Sequence, residues 1–166
     1  MPLRFRDATD DDIPQLAAVQ NAAAGALVAR YGDGPWGALV TERGTALAMR
    51  HARFRIGVDA KTLVCCLRLA QKKPWAIDVS HFTPVPRALY LTNMAVAVAR
   101  QGHGIGRRAL DDARDVTREW PAQSIRLDAW DAPAGAGAFY EACAFAPRGA
   151  LRYRDTPLCY YEWLIG

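Results

Sequence analysis

The chain is 166 residues long, 51% hydrophobic and 23% charged, with a formal net charge of +4. Such a length and balance suit one soluble domain around a sizeable core and exclude disordered or low-complexity classes. The positive charge comes from arginines spread along the chain, so a nucleic-acid partner is not expected.

No run reaches the ~20 apolar residues of a membrane span, so no membrane partner is expected either. Met1 to Asp12 is charged and lacks an apolar segment, which argues against a signal peptide. Cys65, Cys66, Cys143 and Cys159 form no CxxC pair, and none has a histidine at metal-ligand spacing. Buried thiols in a reducing cytoplasm, with no metal, are expected. His51, His81 and His103 are equally dispersed and read as surface or partly buried imidazoles.

In chain order, Leu3 to Arg6 reads as a short opening strand, and Thr9-Asp10-Asp11-Asp12 can cap a helix. Ile13, Leu16, Ala17, Gln20, Ala24 and Leu27 fall close to one helical face, and Gly32-Asp33-Gly34-Pro35 ends that helix near Tyr31. A second, weaker helix is expected from Trp36 to His51, interrupted by Gly44. Phe54 to Val58 and Thr62 to Leu69 flank the turn Asp59-Ala60-Lys61, which predicts an antiparallel hairpin. After the breaks at Lys72-Lys73-Pro74 and Thr83-Pro84-Val85-Pro86, Ala88 to Val98 reads as a long apolar strand.

Ala109, Leu110, Ala113, Val116 and Trp120 then repeat at helical spacing from Gly104 until Pro121 stops the pattern. Ile125 to Trp130 is the next strand, Ala134 to Ala142 a short helix, and Tyr153 to Ile165 holds the last one or two strands. This order fits a mixed α/β sheet in one domain.

The segment Gln101-Gly102-His103-Gly104-Ile105-Gly106 stands between a strand and a helix. Its glycines admit positive φ and let an anion approach the backbone, and the first N–H groups of the following helix point at that anion. Two cofactor classes compete for such a turn. Gly104 to Ala109 matches the dinucleotide pattern GxGxxA, with Asp128 about 20 residues downstream. Against it, Ala99-Arg100-Gln101 separates the strand from the glycines, the motif comes late in the chain, and an antiparallel hairpin precedes it.

The run Met94-Ala95-Val96-Ala97-Val98-Ala99-Arg100-Gln101-Gly102-His103-Gly104-Ile105-Gly106-Arg107-Arg108-Ala109-Leu110 resembles the acetyl-coenzyme-A-binding motif of the GNAT N-acetyltransferase superfamily. Its pattern [RQ]xxGx[GA] reads here Gln101, Gly104 and Gly106. Ala138 to Phe145 resembles the second signature, with Ala144 where the family usually has glycine.

The resemblance covers essentially the whole chain. It implies an α/β fold with a mostly antiparallel sheet, a central parallel pair and flanking helices. It also implies an acetyl-CoA-dependent enzyme that acetylates a small-molecule or peptide primary amine by direct transfer in a ternary complex. A homodimer is compatible with this size.

Residue by residue, the resemblance places the backbone of Met94, Ala95 and Val96 along the pantetheine arm, exposed by a local bulge. The Val96 N–H becomes the donor to the thioester oxygen. Gln101, Gly102, His103, Gly104, Ile105, Gly106 and Arg107 hold the diphosphate. Tyr140 is the general acid, because a phenol of pKa ~10 stays protonated at neutral pH and can donate to a thiolate. Phe139 beside it reads as the core member.

The general base stays open among Asp33, His81, Asp128, Asp155 and a water chain. The acceptor is expected to meet Arg30 to Trp36, Trp75 to Phe82, and Tyr153. A non-catalytic acyl-CoA sensor remains the alternative from a different class.

Overall fold

The computed structural model describes residues 2–36 and 38–166. Along the chain run β1 (Arg4–Asp7), α1 (Ile13–Tyr31), α2 (Glu42–Met49), β2 (Arg53–Asp59), β3 (Thr62–Ala70) and β4 (Ala88–Val96). They are followed by α3 (Ile105–Glu119), β5 (Ser124–Trp130), α4 (Gly137–Ala142), β6 (Ala146–Tyr153) and β7 (Thr156–Leu164). The seven strands are ordered β1-β2-β3-β4-β5-β7-β6. The β4–β5 pair is parallel, whereas β1–β2, β2–β3, β5–β7 and β6–β7 are antiparallel. Hairpins of this kind replace the doubly wound parallel sheet of a dinucleotide enzyme, so that reading of Gly104 to Ala109 falls.

The chain divides into two compact units, 1–70 with 92–113 and 71–91 with 114–166, the cuts falling inside β4 and α3. In the first unit, Leu16 and Val19 of α1 meet Phe54, Ile56, Leu63, Cys66 and Ala95 in one buried cluster. The entry to α1 is fixed electrostatically. Arg6 grips Asp12 through two hydrogen bonds of 2.6 and 2.9 Å, and the Thr9 N–H donates to the same carboxylate at 2.7 Å. Together these hold the Asp12 carboxyl at about 2, against the desolvation that burial imposes. Gly32, at φ 83°, ends the helix and donates to Val28 O.

The second helix is shorter than its sequence pattern suggests. The Thr41 hydroxyl accepts the Gly44 N–H at 2.9 Å and so caps a helix that begins at Glu42, with Gly44 inside its first turn. Across the sheet from α1, Arg55 reaches Asp112 of α3.

In the second unit, β5 pairs with β7 over its whole length, and Ile77, Phe82, Tyr90 and Tyr160 form a buried cluster. The β6 strand corrects the expectation that the last strands begin at Tyr153. Pro147 and Gly149 hide it in the sequence, and both sit where the β6–β7 register shifts, at the end of the strand order where proline is tolerated. The expected strand to Val98 likewise stops at Val96, and Val98–Arg100 turns into a 3-10 helix. The expected helix from Ala134 begins at Gly137, where an added Cβ would collide with the Tyr161 hydroxyl.

Candidate functional site

In the first unit, β4 carries an irregularity that hydrophobic periodicity does not reveal. Asn93 lies at φ 54°, inside an apolar strand. Asparagine is among the few non-glycine residues that tolerate this region. Its side chain is held there: Asn93 Nδ2 donates to Gln20 Oε1 at 3.1 Å, and Gln20 Nε2 donates to Leu16 O at 3.0 Å. The Asn93 carbonyl also accepts the Cys66 thiol at 3.4 Å. A lone asparagine among Leu91, Met94 and Val96 was the available signal for this left-handed position.

Past Asn93, Ala95 is buried while Met94 and Val96 are half-buried. The chain then leaves the strand. Ala97 donates to Val64 O at 2.8 Å, and the Gln101 side chain returns to donate to Val96 O at 3.1 Å. His103 Nδ1–H donates to Gln101 O at 2.8 Å, so the ring braces the turn from within. Arg100 pairs with Asp59 at 2.7 Å.

Gly102 and Gly104 adopt φ 77° and 76°, and an added Cβ at either would meet nothing within 4 Å. Glycine is needed there for conformation and not for room; another residue would cost about 1–2 kcal/mol in this region. Ile105 is buried and anchors the start of α3, and the Arg108 N–H bonds back to Gly104 O at 3.2 Å. The helix amides before Arg108 precede the first such bond. Gly106 is half-buried in the opening turn and Arg107 is exposed on it. Met94, Ala95, Val96 and Gln101 to Arg107 thus lie on one continuous stretch that ends a strand and opens a helix.

In the second unit, Tyr140 corrects one expectation: it, and not Phe139, is the buried member of the pair. Its ring contacts Phe139, Phe145 and Tyr161 at centroid distances of 5.2, 5.7 and 6.2 Å. Burial pushes the phenol well above its usual value, and the charges of Asp128 and Cys143 push the same way. A group so placed is fully protonated at neutral pH.

Asp128, on β5 opposite Tyr160, is half-buried, and desolvation raises its carboxyl while its own backbone N–H pulls it back. Among the other groups considered as bases, Asp33 and Asp155 are exposed, and His81 Nδ1–H donates to Arg148 O at 3.3 Å. A cleft of about 410 Å³ is lined by Trp75, Asp78, Val79, Leu151, Tyr153 and Tyr160 among others. It includes parts of two segments expected near the acceptor. Burial raises Cys65 to about 11 and Cys66 to about 12, so neither offers a thiolate nucleophile at neutral pH. Among the described residues no group of His, Cys, Asp or Glu is arranged to hold a metal ion.

The fold is α/β, with a glycine turn between a strand and a helix. The model of the acetyltransferase (GNAT) family matches residues 13–145, and the chain belongs to that family. No curated protein matches it. Among solved structures it is similar to the ribosomal-protein-alanine N-acetyltransferase of Brucella melitensis, at 19% identity, TM-score 0.75, and coverage of 98% of this chain and 99% of that one. The ribosomal-protein-S18-alanine N-acetyltransferase of Escherichia coli shares 15% identity at TM-score 0.73, covering 99% and 94%. A putative acetyltransferase of Salmonella typhimurium, solved with its cofactor acetyl-CoA, shares 13% at TM-score 0.69, covering 98% and 93%.

Proposed function

We propose that the chain is an acetyl-CoA-dependent N-acetyltransferase that moves an acetyl group directly to a primary amine of a small molecule or peptide. The observation that carries this reading is the pair of left-handed glycines, Gly102 and Gly104, at the entry to α3. They set the turn just ahead of the first N–H groups of α3, at a positive helix end, which suits a diphosphate. The residues present fit coenzyme A: Gln101 to Arg107 would hold the diphosphate, and the backbone of Met94, Ala95 and Val96 beyond the left-handed Asn93 would hold the pantetheine arm. Bound acetyl-CoA supplies the activated thioester.

The chain's own groups do the rest. The Val96 N–H donates to the oxygen on which negative charge develops. Tyr140, kept protonated by burial, gives its proton to the departing sulfur. Asp128 takes the proton of the attacking amine. Its raised carboxyl is a stronger base than an exposed aspartate, and it lies close enough to Tyr140 for its charge to act on the phenol.

Calorimetric titration with coenzyme A and thiol release from acetyl-CoA across an amine panel test this together. Affinity for coenzyme A with turnover on at least one amine is expected. Affinity without turnover on a broad panel assigns the chain to acyl-CoA sensing instead.

A further inference from the structure

Two half-buried arginines sit on neighbouring strands of the first unit, facing opposite sides of the sheet. Arg55 of β2 directs Nε and Nη2 at Asp112 at 2.8 and 2.7 Å, and its Nη1 reaches Asp7 at 3.1 Å. Its charge is fully matched, and the hydrogen bonds it donates to Asp112 raise its pKa despite burial.

Arg68 of β3 has no such partner. It is the register neighbour of Phe54, which packs with Leu16 and Val19 of α1, so its side chain leaves the sheet on the α1 side. Its Nη1 makes one long hydrogen bond, 3.4 Å, to Thr92 Oγ1. Its Nε is buried without an acceptor among the described residues. Burial lowers its pKa, and no carboxylate opposes that. A guanidinium withdrawn from water without a counter-charge is expensive, and the outer end of this half-buried side chain stays reachable.

Thr92 immediately precedes the left-handed Asn93, so the unmatched cation stands beside the β4 segment that the proposed reaction uses. We infer that Arg68 binds a carboxylate carried by the acceptor amine, engaging it through the reachable outer end of the guanidinium. This assignment rests on the acetyl-transfer reading above. The acceptor is then an amino acid in the broad sense, with its acid and its amine set apart. Met94 and Val96 lie two and four residues beyond Thr92, so the acid and the amine are set apart along β4. That separation suits a longer ω-amino acid better than a simple α-amino acid.

The test pairs glycine, 4-aminobutanoate, 6-aminohexanoate and 8-aminooctanoate with the alkylamines of equal length, by thiol release from acetyl-CoA. The two longer acids should exceed both their alkylamines and glycine in kcat/KM by about ten- to a hundredfold, the range of a charge-assisted contact. Arg68→Met should collapse that ratio toward one, and Arg68→Lys should restore part of it. A wild-type ratio near one at every length overturns the assignment, as does an Arg68→Met loss that is equal for acids and alkylamines.

If no amine turns over although coenzyme A binds, the acetyl-transfer reading fails, and calorimetric titration of 6-aminohexanoate and hexylamine into the coenzyme A complex decides Arg68 separately. Binding of the acid alone upholds the carboxylate site, and binding of neither or both overturns it.

Discussion

The turn opening α3 and the surroundings of Tyr140 are built by different means. The first works through backbone: Gly102 and Gly104 set the path of the chain, and Gln101 and His103 spend their side chains bracing that path. The second works through side chains whose properties come from what surrounds them. Tyr140 and Asp128 are ordinary residue types until burial shifts both upward. A backbone site depends on conformations that few residue types permit, so its glycines advertise it; a side-chain site depends on an environment built from distant parts of the chain.

The largest expected effect breaks the backbone side of that contrast. Gly104→Val forces a β-branched residue to φ 76°, where only glycine is at ease. The turn must rearrange to relieve about 1–2 kcal/mol of strain, and the amides lose their common direction. Coenzyme A affinity should fall by about a hundredfold or more by calorimetry, a loss of about 2.7 kcal/mol, with the far-ultraviolet spectrum retained. Unchanged affinity would remove the diphosphate assignment.

On the side-chain side, Tyr140→Phe keeps the ring contacts with Phe139, Phe145 and Tyr161 and deletes the proton. Under conditions where chemistry limits the rate, kcat should drop about 10²-fold or more with the KM for acetyl-CoA little changed. A loss below threefold reduces Tyr140 to packing. This mutation and Gly104→Val should therefore separate kcat from cofactor affinity, which is the sharpest form of the contrast.

Asp128→Asn probes the same side through pH. A base whose carboxyl is raised by burial loses activity as pH falls through that raised value, so the wild-type acidic limb should lie above the range of an exposed aspartate. The variant should lose about 10²-fold in kcat/KM together with that limb. An acidic limb identical in wild type and Asp128→Asn would assign the base elsewhere.

Legibility in the sequence followed the same division. The order of strands and helices could be read from alternation and helical spacing, because burial of one face leaves that periodic trace. The glycine turn was legible residue by residue. The β6 strand was not, since Pro147 and Gly149 break its pattern where the β6–β7 register shifts. Periodicity did not mark Asn93 as the left-handed residue of β4, because an apolar run predicts a strand without predicting its defects. The sequence chose Phe139 for burial where the structure buries Tyr140, and it did not show which of the candidate acids burial raises. Those choices depend on which residues cover which, and Arg55 and Arg68 show the point again: two similar arginines, one matched by a carboxylate from α3 and one left without.

The smallest expected effect returns to backbone, inside the side-chain region. Ala144 follows α4 at φ 67°, closing the helix while the Phe145 N–H donates to Tyr140 O at 3.0 Å. The resemblance places glycine at this position, and the reason is physical: alanine pays a steric cost in the left-handed region that glycine escapes. Ala144 is exposed, so no packing is lost on its replacement. Ala144→Gly should therefore stabilise the chain by about 0.5–1 kcal/mol, after glycine's extra freedom in the unfolded state offsets part of the relief. Chemical denaturation reads it as a higher midpoint at unchanged slope. Destabilisation instead would mean that the turn after α4 does not hold Tyr140 by this geometry, and that its burial is maintained by ring packing alone.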